Sequence, residues 1–354
     1  MMQSFLKTGK LGKDEGPSKS NSKDSNKKRN KPTPWVEKYR PRTVDEVIEQ
    51  NEIVAVLKQV LSGADLPHFL FYGPPGTGKT STIIAAARQL FGDLYKDRIL
   101  ELNASDDRGI QVIRDKVKSF SQLTASSVRP DGQPCPPYKI VILDEADSMT
   151  HAAQSALRRT MEKETRSTRF CLICNYVSCI IQPLTSRCTK FRFKPLGENT
   201  MLKKLEEICI AEEITYDLKV LPALVETSGG DMRRSITCLQ SCARLKGSEG
   251  IVYEDVLEVT GVVPDHWLNG LLEVCRLKNY EKMEAFLDEM MHEAYAASRI
   301  LEQIHNNVIE SSEYSDSIKA NICEKIAVCS WRLMDGSSEY LQLLDLCCTI
   351  ITII

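Results

Sequence analysis

The octapeptide Gly73 to Thr80, with the pattern G-x-x-x-x-G-K-T, constrains this chain more than any other stretch. An apolar run, Phe69 to Tyr72, precedes it, and an alanine-rich apolar segment, Ile83 to Leu90, comes after it. Strand, glycine loop and helix in that order make a phosphate cradle, because glycines let backbone N–H groups close on anionic oxygens at a helix N-terminus. Gly73, Gly76 and Gly78 supply that freedom, Lys79 reaches the β and γ phosphates, and the Thr80 hydroxyl is suited to ligate Mg2+. The loop from Gly73 through Pro74, Pro75, Gly76, Thr77, Gly78, Lys79 and Thr80 to Ser81 is assigned to nucleotide phosphates on these grounds.

Two further apolar strands end in polar residues. KIVILDEAD ends in Asp144 and Glu145: Asp144 suits magnesium, directly or through water, and Glu145 suits the attacking water as orienting base. Its last letters spell the name of a helicase class, but such helicases carry two motor domains, and one nucleotide motif set occurs here. RFCLICNY ends in Asn175, whose amide can reach the γ phosphate or the attacking water; a simple loop-turn Asn is the alternative. GGDMRRSI puts Asp231 at a helix N-cap and Arg233 in the first turn, where a guanidinium can swing onto a phosphate. In PLTSRCTKF, Arg187 stands before a strand with no obvious acid beside it.

Composition narrows the class. The 354 residues allow two or three domains, and 42% hydrophobic with 27% charged is ordinary for a globular protein. Thirteen cysteines without framework spacing, and no opening signal peptide, read as reduced thiols in the cytosol or nucleus. Cys171 and Cys174 have C-x-x-C spacing, but residues three apart on a strand face opposite sides, so they read as buried strand residues rather than a metal or redox pair. The apolar LDLCCTIITII is interrupted upstream by Gln342 and Asp345 and is too short for a membrane anchor. Residues 1–34 hold nine basic against three acidic residues, a net of +6, which leaves −8 for the rest of a chain at −2. That arm is expected to be disordered, and its KKRNK reads equally as a nuclear import signal, a nucleic-acid tether or a solubilising tail. An acidic body excludes DNA binding by bulk charge, so any such contact must come from a local stripe. DDRGIQVIRDKVKSF offers one: a helix with Ile110, Ile113, Val117 and Phe120 on the docking face, and Gln111, Arg114 and Lys118 beside it.

Taken together, PWVEKYRP, YGPPGTGKTST, ELNASDDRGI, VILDEADSM, LRRTME, the Asn175 strand, LTSRC and GDMRRSI resemble the small subunits of replication factor C, the eukaryotic sliding-clamp loader of the AAA+ class. The resemblance is specific through about residue 240 and rests on length and helical character beyond it. It implies that Val36, Tyr39 and Arg40 line the adenine side of the pocket, and that Asn175 and Arg233 sense phosphate. Arg187 matches the arginine finger that acts in trans on a neighbour's γ phosphate. Arg114 and Lys118 would track one strand of primer-template DNA through its phosphates. One departure is that Cys179 and Gln182 stand where Arg and Glu are expected in close relatives.

The implied fold is a P-loop parallel α/β domain at about 35–195, a helical lid at 196–261 and an all-helical collar at 262–354. In the collar, Ile322, Ile326, Cys329 and Leu333 mark an apolar face, and the tail after Leu341 looks more apolar than one small bundle needs. The implied function is an ATP-hydrolysing subunit of a heteropentamer that loads the sliding clamp, PCNA, onto DNA in the nucleus during replication and repair. An ATP-binding scaffold without turnover is the alternative. Intact Lys79, Thr80, Asp144 and Glu145 favour hydrolysis.

Overall fold

The computed structural model describes residues 33–105, 111, 113–122, 135–247 and 249–353. The basic arm and the start of the proposed DNA helix, residues 106–110, lie outside the described residues. A short helix α1, Trp35–Lys38, and helix α2, Asn51–Leu61, precede strand β1, Phe69–Tyr72, and helix α3, Lys79–Phe91. Strand β2, Ile99–Asn103, is followed by β3, Lys139–Asp144, helix α4, His151–Glu164, β4, Thr168–Cys174, and β5, Thr189–Arg192. The five strands lie in the order β2-β3-β4-β1-β5, and every neighbouring pair is parallel.

Each central strand is apolar on both faces, as a sheet covered by helices on both sides requires. Phe69, Phe71, Ile140, Ile142, Cys171 and Ile173 pack with Ile53 and Leu57 of α2 and Ile83 and Leu90 of α3. The alternate residues Leu70, Val141, Leu143, Leu172 and Cys174 pack with Ala153, Leu157 and Met161 of α4. Cys171 and Cys174 thus fall on opposite faces, both buried and free, and burial pushes the Cys174 thiol up to about 12. Among the described residues no three His, Cys, Asp or Glu side chains gather as a metal-ligand cluster.

Parallel connection has a geometric consequence. Loops that leave the strands gather at one rim of the sheet, and loops that enter them gather at the other. The P-loop, Asp144 and Asn175 stand at the ends of β1, β3 and β4, whereas Arg187 precedes β5. At about 3.3 Å per residue, the four residues of β5 put the two rims at least about 13 Å apart.

Past the sheet come helices α5, Glu198–Ala211, α6, Val220–Ser228, α7, Met232–Lys246, and α8, Tyr253–Thr260. They share a core built on Met201, Leu205, Leu224 and Leu239, against which Trp35, Val36 and Tyr39 also pack. Helices α9, Asp265–Arg276, α10, Tyr280–His292, α11, Ala297–Glu310, α12, Asp316–Met334, and α13, Glu339–Ile353, form a separate bundle. The apolar tail is covered on one face. Leu343, Leu346, Cys347 and Ile350, spaced for that face, are buried as the centre of the bundle, while Leu344, Cys348 and Ile351 are only partly buried. The exposed large apolar side chains nearby are Trp331, Met334 and Leu341. Among the described residues no helix is long and apolar enough to cross a membrane.

His68, just before β1, accepts a hydrogen bond at Nδ1 from the Phe170 N–H. Burial, and then the Arg169 guanidinium, hold its imidazole down to about 4. The folded chain therefore binds fewer protons here than the unfolded chain, so stability is present above the ordinary value near about 6.5 and is lost as pH falls toward 4. The drop in melting temperature from pH 7 to pH 5 should accordingly be larger for the wild type than for His68→Gln, as measured by circular dichroism.

Candidate functional site

Helix α3 begins at Lys79, behind Gly78 at φ 90°. The Lys79 ammonium has three donors, and all three are used: it donates to the Gly73 and Pro74 carbonyls at 2.8 Å and to Asn175 Oδ1 at 3.0 Å. Burial lowers its pKa, with the Asp144 carboxylate acting against that. Thr80 Oγ1 donates to Asp144 Oδ2 at 2.7 Å, and Asp144 Oδ1 accepts from the Glu145 N–H at 2.9 Å. Glu145 is exposed and sits at φ 52°. A non-glycine residue in that region costs on the order of 1 kcal/mol and concentrates where a side chain must be aimed. The fourth letter of the DEAD stretch also acts here, since Asp147 Oδ2 accepts from the N–H groups of Asn175 and Tyr176 at 3.1 and 3.3 Å. That carboxylate ties the tip of β4 at Asn175 to the turn just past the end of β3.

These groups open into one pocket. Its lining includes Pro75 to Thr82, Asp144, Glu145, Asn175 and Arg233, with Val36, Tyr39 and Arg40 opposite. Gly73 and Pro74 do not line it; they contribute by holding Lys79. At Gly73 a Cβ would fall 2.2 Å from the Phe193 carbonyl oxygen, which explains why no side chain stands there. Sequence reading missed the rest of the wall: Pro41, Val47, Ile48, Thr82, Leu196, Met232 and Ile236, with the charged Glu46 and Lys204. Met232 and Ile236 are four apart on one helix and flank Arg233, a spacing that offered a signal. Val47 and Ile48 lie in an irregular segment that offered none.

The lid presses directly on the P-loop. Asp231 caps α7 by accepting from the N–H groups of Arg233 and Arg234 at 2.9 and 3.2 Å. A Cβ on Gly76 would lie 1.7 Å from Asp231 Oδ1. On the far side Tyr39 donates to Glu212 Oε1, at the end of α5, at 2.7 Å. Arg40 pairs with Glu37 at 3.0 Å.

Arg187 is not part of this pocket. The absence of a local acid, expected from its neighbours in sequence, is corrected: its guanidinium pairs with Glu162 near the end of α4 and donates to the Pro183 carbonyl at 2.6 Å. Arg158 shares the same Glu162 oxygen at 3.3 Å. Cys179 and Gln182 engage nearby through their carbonyls, which accept from Gln154 Nε2 and Thr185 Oγ1 at 3.0 Å. Within the described part of the proposed DNA segment, Ile113–Val117 are π-helical and Lys118–Gln122 α-helical, so these residues are not one unbroken α-helix. Val117 is buried, Phe120 half-buried and Lys118 exposed, while the side chain of Arg114 lies outside the described residues.

Residues 69–196 match the ATPase family associated with various cellular activities (AAA), residues 203–244 the RCF1/5-like AAA+ ATPase lid domain, and residues 263–349 the replication factor C C-terminal domain. The chain is 53% identical to replication factor C subunit 4 of Homo sapiens, over 99% of this chain and 98% of that one. This chain belongs to the small subunits of replication factor C. It is also 47% identical to replication factor C subunit 2 of Saccharomyces cerevisiae, over 88% of this chain and 91% of that one. In fold it resembles RuvB, the Holliday junction branch migration motor of Thermotoga maritima, with a TM-score of 0.51 over 66% of this chain and 78% of that chain at 16% identity. A replication factor C small subunit is a clamp-loader component with an AAA+ nucleotide-binding fold, and it assembles with other subunits of that factor.

Two glycines at positive φ, Gly76 crowded and Gly336 in open space, set close approach with backbone strain against strain alone. Gly76→Ala should weaken ATP binding by tenfold or more in a fluorescent-nucleotide titration, because the methyl group would displace Asp231 and with it the lid. Gly336→Ala, at φ +89° with open space around it, should cost on the order of 1 kcal/mol of stability and leave ATP affinity unchanged.

Proposed function

We propose that this chain is a hydrolysing ATPase subunit that helps open the sliding clamp PCNA and load it onto primer-template DNA in the nucleus, during replication and repair. The observation that carries the reading is the complete set of phosphate and water-handling groups in one pocket, with an arginine on the opposite edge of the same sheet. A subunit with its pocket on one rim and its arginine on the other suits heterologous, head-to-tail contacts, which form a ring when the rotation between neighbours closes. Arg187 would then complete a neighbour's site.

In this reading the backbone N–H groups at the start of α3 and the Lys79 ammonium hold the β and γ phosphates. Asn175 is held against Lys79 and lines the same pocket as Glu145, so it can orient the γ phosphate or the water. Glu145, aimed by its left-handed backbone, takes the proton from that water. The Tyr39 ring and the apolar Val36, Val47, Ile48, Met232 and Ile236 fit a purine base, and Arg233 brings a cation from the lid. Thr80 Oγ1 and Asp144 Oδ2, 2.7 Å apart, are hard oxygen donors beside the phosphate loop and fit Mg2+, which would supply charge neutralisation between phosphates. Arg114 and Lys118 would contact DNA phosphates, in keeping with a nuclear address carried by KKRNK.

The decisive experiment uses an assembly in which one neighbouring site alone is competent to hydrolyse. Arg187→Ala in this chain should lower turnover at that neighbour by about a thousandfold while leaving this chain's own ATP affinity intact. Glu145→Gln should instead keep binding and abolish turnover in its own pocket. Unchanged turnover at the neighbour after Arg187→Ala would make the arginine a structural partner of Glu162 and no more.

The DNA role has its own test. Arg114→Ala with Lys118→Ala should weaken primer-template binding equally for any sequence and reduce the log-log salt slope by about one unit per lost phosphate contact. A slope identical to the wild type removes this segment from the DNA path.

A further inference from the structure

The connection between the sheet and the lid is gripped from outside by two consecutive side chains. β5 ends at Arg192 and α5 begins at Glu198, so residues 193–197 are where one layer hands over to the other. Gln50 donates through Nε2 to the Lys194 carbonyl at 3.2 Å. Glu49 reaches further, accepting at Oε2 from the Gly197 N–H at 2.7 Å and at Oε1 from the Thr200 hydroxyl. Gly197 is the N-cap of α5 and has no side chain of its own; Glu49, 148 residues earlier, instead holds the N–H of that N-cap residue. A negative group suits that end of a helix. The approach is close: a Cβ on Gly197 would lie 2.8 Å from Glu49 Oε1.

Glu49 has the second mark of a device under constraint, a left-handed backbone at φ 60°. No turn glycine relieves it, and the strain persists because the two hydrogen bonds over-determine the conformation. The residues immediately before it, Glu46, Val47 and Ile48, line the nucleotide pocket, and Leu196 and Lys204, on either side of the residues that Glu49 holds, line the pocket too. One short segment therefore touches the base side of the pocket with three residues and the lid hinge with the next two.

We propose that Glu49 is the positioning residue through which nucleotide in the pocket sets the attitude of the lid: a base seated on Val47 and Ile48 fixes the segment, and the Glu49 carboxylate transmits that to the first turn of α5. The proposal rests on reading the pocket as a nucleotide site. It differs from the contact between Gly76 and Asp231, which couples the lid to the phosphates; the Glu49 route couples it to the base.

Amide hydrogen exchange of the full chain, with and without MgATP, tests this. In the wild type, ATP should slow exchange in residues 197–204 as well as in the P-loop. Glu49→Gly accepts φ 60° without strain and deletes the carboxylate; it should keep the fold and the P-loop protection, lose the ATP-linked protection at 197–204, and raise the dissociation constant for ATP several-fold. Glu49→Gln retains oxygen acceptance for one of the two bonds and should recover part of the linkage, which a merely structural role would not require. Wild-type protection of 197–204 in Glu49→Gly, with the P-loop protected, overturns the proposal alone. Absence of ATP protection in the wild-type P-loop overturns the nucleotide reading, and the proposal with it.

Discussion

The Lys79 ammonium joins three pieces of chain that sequence keeps apart: the start of the P-loop at Gly73 and Pro74, the start of α3, and the tip of β4 at Asn175. A buried ammonium is tolerated only when its donors are satisfied, so the loop must curl and β4 must lie beside β1 for this lysine to be placed at all. The same tip is pinned a second time by Asp147, from the end of β3. The P-loop, the polar tip of β4 and the order of the strands are thus parts of one hydrogen-bonded assembly. Binding a phosphate means exchanging at least one of the lysine's three protein acceptors for a phosphate oxygen, which links occupancy of the P-loop to the freedom of Asn175.

Much of the pocket was legible because its determinants are local. A glycine loop between an apolar run and a helix needs no tertiary information, and the same holds for carboxylates at a strand end or an aspartate before Met232-Arg233. The two-faced character of β4, with Cys171 on one side and Cys174 on the other, came from the period of a strand alone. Local pattern could not supply pairing across distance. Glu162 lies 25 residues before Arg187, and nothing in either segment announces the other. Glu49 and Gly197 are further apart still. The apolar stretch after Leu341 shows a related limit: hydrophobicity says that a face must be covered but not by what, and here its inner face is covered by the rest of its own bundle.

Helix α4 relates the two rims. It starts just beyond the Glu145 turn, at the rim that bears the pocket, and its last turn carries Glu162 to the rim that bears Arg187. Fourteen residues of helix span about 21 Å. Its inner face, Ala153, Leu157 and Met161, is buried against the sheet, so the helix behaves as a strut rather than a loose connection.

A chain of this kind has a direction, in the way an arrow does. Laid head to tail as proposed, such subunits would form a series in which each member's bound phosphate is felt by one neighbour only, the neighbour whose arginine faces it. On the proposed reading, discharge around the assembly is a procession with a fixed sense, set by nothing more than a parallel sheet that keeps its strand starts and strand ends on opposite sides.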